Sequence, residues 1–481
     1  MVLSGQVHVE NAGSRRHVAR CPGSIRQANV PAVGGLFPPQ DRNLGLDGTS
    51  FSPRLQRKIV GEGVRAESYL AASESLAELC DLKIGPKEIE RLVHRIGRER
   101  IEQRNAAVAA HRALPLMQRD DVADRERPCP AVAMVSVDGG RLQVRGVPTE
   151  SGPRTHWRES KTAVFETYLG QTNNADPDPS VPRCFLDLKR TVTMVRGLGH
   201  AVPKGLESEA DTAYQPTNKP VAQRSAHKPR PGRAERLVRS ILASRASNEE
   251  FGSMVHQAAW QRNFFGARRR AFLGDGLPAN WTIHRQHFSM FTPIVDFVHA
   301  LSYILAAAFA GRSHTEGEQI YRRWVQELWS GGVTTILPEL EARSNELGKP
   351  PEEASENDPR RLVFEALRYL KNNAERMRYD EYRREGLPIM TSAVESAIKR
   401  INRRVKGSEK FWSERGAEAI LQLRADSLSE TEVLKHFCNV SPQLAPTGLS
   451  LRKQPPHLPG VMFPVSVRGF SLGGGAAPGT A

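Results

Sequence analysis

The sequence predicts an α/β fold: a mixed sheet flanked by helices, with a helical insertion and a helical N-terminal region before it. Three observations predict it. Two apolar runs of strand length, AVAMVSVDGGRLQVR (131–145) and RRRAFLGDG (268–276), each carry glycine and place an aspartate at the exit. Apolar residues recur at helical spacing before, between and after these runs. Finally, Glu316 to Asn357 alternates helical pattern with charge and ends in PPEEASEND, which suits a helical insert.

In chain order, residues 1–52 are rich in Gly, Pro and polar side chains and predict a poorly ordered segment. Residues 53–112 read as helices. Leu70, Ala71, Leu76 and Leu79 give one apolar face. DLKIG makes a turn, and Pro86 opens the next helix, where its missing N–H costs nothing. There Ile89, Leu92, Val93 and Ile96 face inward, and Lys87, Arg91, His94 and Arg95 outward. Two helices about a short turn suit a helix-turn-helix-like reader of DNA. An ordinary helical hairpin with a charged face fits the pattern equally well.

Residues 113–130 are a linker, and 131–315 form the first part of the core. Gly139-Gly140 predicts a hairpin turn, with Leu142 and Val144 on the returning strand and Thr162–Leu169 as a third. Residues 197–233 predict a flexible insert. Ala234 to Gln261 reads as helix, Arg268 to Asp275 as strand, and Phe297 to Ala310 as an apolar helix behind Asp296. The helical insertion spans 316–357. Residues 358–440 return to the core, and 441–481 form a Pro- and Gly-rich tail that predicts disorder.

The 358–440 stretch carries the most informative motif, GLPIMTSAVESAIKRINRRVKGSEKFWSERGAEAILQLRAD. Pro388 keeps the chain extended, and Thr391 or Ser392 can cap the helix that begins there. Val394, Ala397, Ile398, Ile401 and Val405 form an apolar stripe. Glu395 stands at its edge, on the side shared by Lys399, Asn402, Arg403 and Lys406. A lone Glu among cations is an ordinary solvated ion pair, and a lone Asp before Gly is an ordinary turn residue. Together, Asp138, Asp275 and Glu395 make the set with which an RNase H-like core holds paired divalent cations. Trp412, beside Phe411, reads as core packing rather than a base-stacking group.

On these residues the chain resembles the ISKra-type insertion-sequence transposases, related to mutator-like DDE enzymes. The resemblance is carried by VSVDGGRLQVR, RRRAFLGDGLPANWTIHRQHF, IVDFVHALSYI and the stretch NNAERMRYDEYRREGLPIMTSAVESAIKRINRRVKGSEKFWSERGAEAILQLRA. FPPQDRNLGLDGTSFSPRLQRKIV adds an N-terminal match, and the whole covers about residues 36–440. It implies a catalytic and metal-binding triad of Asp138, Asp275 and Glu395, with Mg²⁺ as cofactor and Mn²⁺ able to substitute. Asp138 would bridge two ions, Asp275 would bind one and Glu395 the other. The implied reaction is cleavage and strand transfer of element ends. The implied partners are terminal inverted repeats, target DNA and a second copy of the chain in a homo-oligomer. Lys399, Arg403, Arg404, Lys406, Arg91 and Arg95 would contact DNA. Asp296 and His299 occupy an Asp-x-x-His pair that has an accessory role in related enzymes; a helix cap with a half-buried His explains the pair as well. Other readings are a metal-dependent nuclease that cuts without joining, and an inactive or domesticated element that only binds DNA.

Composition agrees with a polyanionic partner: 481 residues carry a formal net charge of +15. No apolar run is long enough to span a bilayer, and the first residues lack a signal peptide's apolar centre. A cytoplasmic, nucleoid-associated location is expected. The five cysteines lie far apart without a C-x-x-C pair, so neither a disulfide framework nor the cysteine-pair zinc element of many ISKra-type proteins is expected.

Overall fold

Five strands form one mixed sheet: β1 (Val132–Thr149), β2 (Gly152–Leu169), β3 (Glu235–Ser244), β4 (Arg269–Gly274) and β5 (Thr292–Val295). Their spatial order is β3-β2-β1-β4-β5. β1 pairs antiparallel with β2 and β2 with β3, whereas β4 runs parallel to β1 and β5 to β4. The computed structural model of the chain describes residues 51–149, 152–203, 206, 234–390, 392–407, 409–431, 433–434 and 437, with the short pairs 28–29 and 36–37. The expected disordered N-terminal segment and tail, most of the 197–233 insert and the capping residue Thr391 lie outside the described residues.

Helices cover both faces. In chain order they are α1 (Pro53–Arg65), α2 (Tyr69–Cys80), α3 (Pro86–Arg112), α4 (Leu188–Gly197), α5 (Asn248–Gln261), α6 (Pro278–His287), α7 (Phe297–Phe309), α8 (His314–Trp329), α9 (Val333–Leu347), α10 (Pro359–Asn373), α11 (Tyr379–Arg384), α12 (Ser392–Val405) and α13 (Glu414–Leu428). Among the described residues no helix is long and apolar enough to cross a membrane.

Double coverage explains the strand sequences. Val132 to Val137 of β1 is buried throughout, because both faces of the sheet are covered there. One core holds β4, β5, α5 and α7 to α10 around residues such as Phe272, Leu301 and Trp324. The other joins Leu142, Val144, Val164 and Ile241 of the sheet to α1, α2, α3, α12 and α13. The α12 stripe enters this second core: Val394, Ala397, Ile401 and Val405 are buried, at about 1.5–3 kcal/mol for each large aliphatic side chain.

Four expectations change. Gly139-Gly140 is not a turn. β1 runs straight through it, and Gly139 and Gly140 pair with Lys161 and Ser160. A Cβ on Gly140 would meet Ser160 Oγ of the paired strand at 3.1 Å, and Ile398 Cγ2 and Asn402 Oδ1 of α12 at the ordinary contact distances of 3.7 and 3.8 Å. Second, Ala234 to Gln261 is not one helix, since Glu235–Ser244 is edge strand β3 before α5. Third, Leu70 and Leu79 of α2 are exposed rather than packed; Ala72 and Leu76 carry its contact. Fourth, Asp138 does not end its strand but pairs with Thr162 inside β1. The inward residues Ile89, Leu92, Val93 and Ile96 are buried as expected, and α3 continues along α13. There a Cβ on Gly97 would come within 2.6 Å of Ala419 Cβ.

Candidate active site

Asp138 sits on β1 just past the last pairing with β4, Ser136↔Leu273. Alternation puts it on the face of Gly140 and Leu142, the face against which α12 packs. Glu395 lies in the first turn of α12, one turn before Ile398. The third acid, Asp275, leaves the end of β4. Gly276 then turns the chain at φ 96°, and a Cβ there would collide with the Tyr369 ring.

A residue outside the sequence reading clamps this corner. Asn280, in the first turn of α6, donates Nδ2 to Asp275 Oδ1 at 2.8 Å and reaches the Val137 carbonyl at 3.4 Å. It thereby ties the β4 acid to the strand carrying Asp138. The Leu277 amide also donates to Asp275 Oδ1, at 2.9 Å, and the Tyr369 hydroxyl to the Asp275 carbonyl, at 2.8 Å.

The three carboxyls share one electrostatic environment. Burial pushes Asp138 up to about 7, and the charges of Asp275 and Glu395 add to the rise. Burial also raises Asp275, against the hydrogen bonds it accepts. Glu395 is raised by burial and then by the charge of Asp296, with Lys399 opposing at 3.5 Å. Side chains brought together from distant points have thus been left with incompletely balanced negative charge.

Asp296 and His299 adjoin the acids. Asp296 is buried and caps α7, its Oδ1 accepting from the amides of Val298 and His299 at 2.8 and 3.0 Å. Its own amide donates to the Gly274 carbonyl at 2.9 Å, one residue before Asp275. The capping explanation therefore holds, yet the pair also stands beside the acids. His299 acts electrostatically on Asp138, Asp275 and Glu395 alike. Its Nδ1 lies 3.2 Å from Nε2 of His200, a second residue outside the sequence reading. Burial, then the His299 charge, lowers His200 to about 4, so at neutral pH it is an uncharged partner.

The expected DNA contacts divide. Lys399, Arg403 and Lys406 are exposed on or just beyond α12, and Arg91 is exposed on α3. Arg95 is half-buried and donates to Gln56 Oε1 at 3.0 Å. Arg404 departs from expectation. It is buried, donates to the carbonyls of Gly63 and Glu67 at 3.2 and 3.4 Å, and lies against the rings of Tyr69 and Trp412. It pins α12 to the N-terminal helices and cannot reach a phosphate. Trp412 is core, as read from sequence, with its indole N–H on the Val405 carbonyl at 2.9 Å.

Hard carboxylate oxygens fit Mg²⁺ or Mn²⁺, and a divalent cation would reverse the pKa rises. Among the described residues no three His, Cys, Asp or Glu side chains are grouped tightly enough to hold one metal ion. Compared with protein-family models, the chain matches none, and it has no significant match among curated proteins.

Proposed function

We propose that the chain is a DDE transposase of the ISKra insertion-sequence kind, with an RNase H-like core. The observation that carries this reading is that Asp138 inside β1, Asp275 at the end of β4 and Glu395 on a helix come into one electrostatic environment. The strand order supports it too: three antiparallel strands followed by two parallel ones, with the first acid on the central strand. So does the long motif around Glu395.

Bound Mg²⁺, or Mn²⁺ in its place, would activate the attacking oxygen and stabilise the leaving one. Asp138, Asp275 and Glu395 would hold it, and Asn280 fixes the orientation of Asp275. His299, backed by neutral His200, would hydrogen-bond a phosphate oxygen. Lys399, Arg403 and Lys406 suit backbone phosphates, which position DNA without reading its sequence. Water first attacks the phosphorus at the element's end and the P–O3′ bond breaks, freeing a 3′-hydroxyl. That hydroxyl next attacks a target phosphodiester, forming a new P–O bond as the old one breaks. In each step the attacking oxygen loses a proton and the leaving oxygen gains one.

The test is a strand-transfer assay with Mg²⁺ or Mn²⁺ and DNA ending in the inverted repeats that flank the gene. Joined product is expected from the native chain and none from Glu395→Gln. Cutting without joining would make the protein a nuclease. Binding without cutting would make it a DNA-binding remnant.

A further inference from the structure

Beyond Asp138 the sheet narrows to two strands. β4 pairs with β1 only as far as Ser136, and β3 pairs with β2 only from Lys161 onward. Residues 141–149 and 152–160 therefore project as a ribbon. One face is accounted for, since Leu142 and Val144 are buried under α12 and the Trp412 segment, whose carbonyl accepts from the Arg145 amide at 2.8 Å. Alternation puts Arg141, Gln143 and Arg145 on the other face, with Trp157 directly across from Gln143.

Trp157 is 49% exposed, although tryptophan is normally highly buried. The Lys406 ammonium stands 5.6 Å from its ring centroid. Arg141, Arg145 and Arg403 are exposed nearby along the ribbon and α12, and among the described residues no carboxylate pairs with any of them. The acid on this face, Glu159, stands 3.1 Å from Lys161. Opposite the indole, Gln143 Oε1 is buried without a hydrogen-bond donor.

We propose that Trp157, Gln143 and the surrounding cations form a stacking site for an unpaired base of a DNA strand. This rests on the DNA-acting reading above and deepens it. Charge and shape select the occupant. An apolar peptide segment would meet arginines and an orphaned amide oxygen beside the ring. A nucleobase offers a π-face to the indole and an amino group to Gln143, and its flanking phosphates meet Arg141, Arg145 and Lys406.

The experiment uses the full chain and two DNA probes, a blunt duplex and the same duplex with a single-stranded overhang carrying 2-aminopurine. Trp157→Leu is expected to weaken overhang binding about tenfold or more and to abolish the fluorescence change of stacked 2-aminopurine. Blunt-duplex binding should change little, and Trp157→Phe should restore most of the difference. Thermal melting of both variants checks that they fold. Native-like overhang binding and fluorescence in folded Trp157→Leu overturns the stacking site, whether or not the protein cuts DNA. Trp157-dependent stacking without cutting supports the site and counts against the transposase reading alone. Absence of DNA affinity in the native chain overturns both.

Discussion

Where α3 crosses α13, buried charge is matched within the chain. Arg100 donates Nε to Asp426 Oδ2 at 2.9 Å, and Gln422 Nε2 donates to Asp426 Oδ1 at 3.0 Å. Arg104 meets Glu418 at 3.2 Å and Gln422 Oε1 at 2.9 Å. At Asp138 inside β1 and at the end of β4 the same cost of burial is met differently. Acids face acids, Lys399 is the near cation of Glu395, and Asp138 is pushed up to about 7. The first arrangement is complete within the molecule and reads as architecture. The second favours a cation from outside, and this contrast locates function more surely than burial or charge does separately.

The largest expected effect tests the unbalanced side. Glu395→Gln and Asp138→Asn should each reduce cutting by more than about a hundredfold, since partners of metal ligands alone cost about 10- to 100-fold. Neither should lower the melting temperature in metal-free buffer, because each removes repulsion among the acids, and the Lys399 ion pair lost with Glu395 is exposed and worth little. Mn²⁺ should raise the melting temperature of the native chain and raise that of either variant less. A variant that fails to fold would instead make that acid structural.

Asp426→Ala tests the balanced side. It leaves Arg100 buried without its carboxylate, which costs about 3–5 kcal/mol and should appear as a lower urea midpoint. The folded fraction should cut DNA at the native rate, the reverse of the Glu395→Gln result.

The sequence showed the unbalanced side better than the balanced one. Asp138 and Asp275 each follow an apolar run, although only Asp275 ends its strand, and the α12 stripe places Glu395 without reference to anything distant. Asn280 escaped because its partners, Asp275 and Val137, meet only when β4 lies beside β1. Arg100 and Asp426 escaped for the same reason. Gly139-Gly140 misled because glycine also occurs inside strands, and here both glycines pair with β2. β3 was missed because its exposed first half and buried second half do not alternate. Arg404 shares the helix and charge of Arg403, and only the fold shows that it points into the core.

Arg404 and its neighbours give a smaller test of the same contrast. Lys399→Ala, Arg403→Ala and Lys406→Ala should each weaken DNA binding across sequences and reduce the salt slope by about one. Arg404→Ala should leave the slope unchanged and lower stability by about 2 kcal/mol, from lost carbonyl hydrogen bonds and cation–π contacts. A changed slope would return Arg404 to the phosphate-binding set.

The smallest effect concerns a place where the two arrangements mix. His111 at the end of α3, His256 on α5 and His287 at the end of α6 form a chain of rings, with centroids 5.0 and 5.5 Å apart. The His287 ring lies over Gly252, where a Cβ would come within 2.7 Å of it. Asp120 accepts from or is ion-paired with His256 Nε2 at 2.7 Å, while Arg112 and Arg119 add positive charge. Burial lowers all three imidazoles, mutual repulsion adds to the shift at His111 and His287, and His287 falls to about 4. A histidine whose pKa is lower folded than unfolded binds its proton more readily unfolded. The stability it contributes is present above the unfolded value of about 6.5 and is lost as pH falls toward 4. Melting temperature should therefore decline across that window, by less than Asp426→Ala causes. Amide exchange should rise first where α3 meets α5, and His287→Phe should flatten the decline. An unchanged pH profile in that variant would show that one acid, Asp120, is enough to hold three rings together.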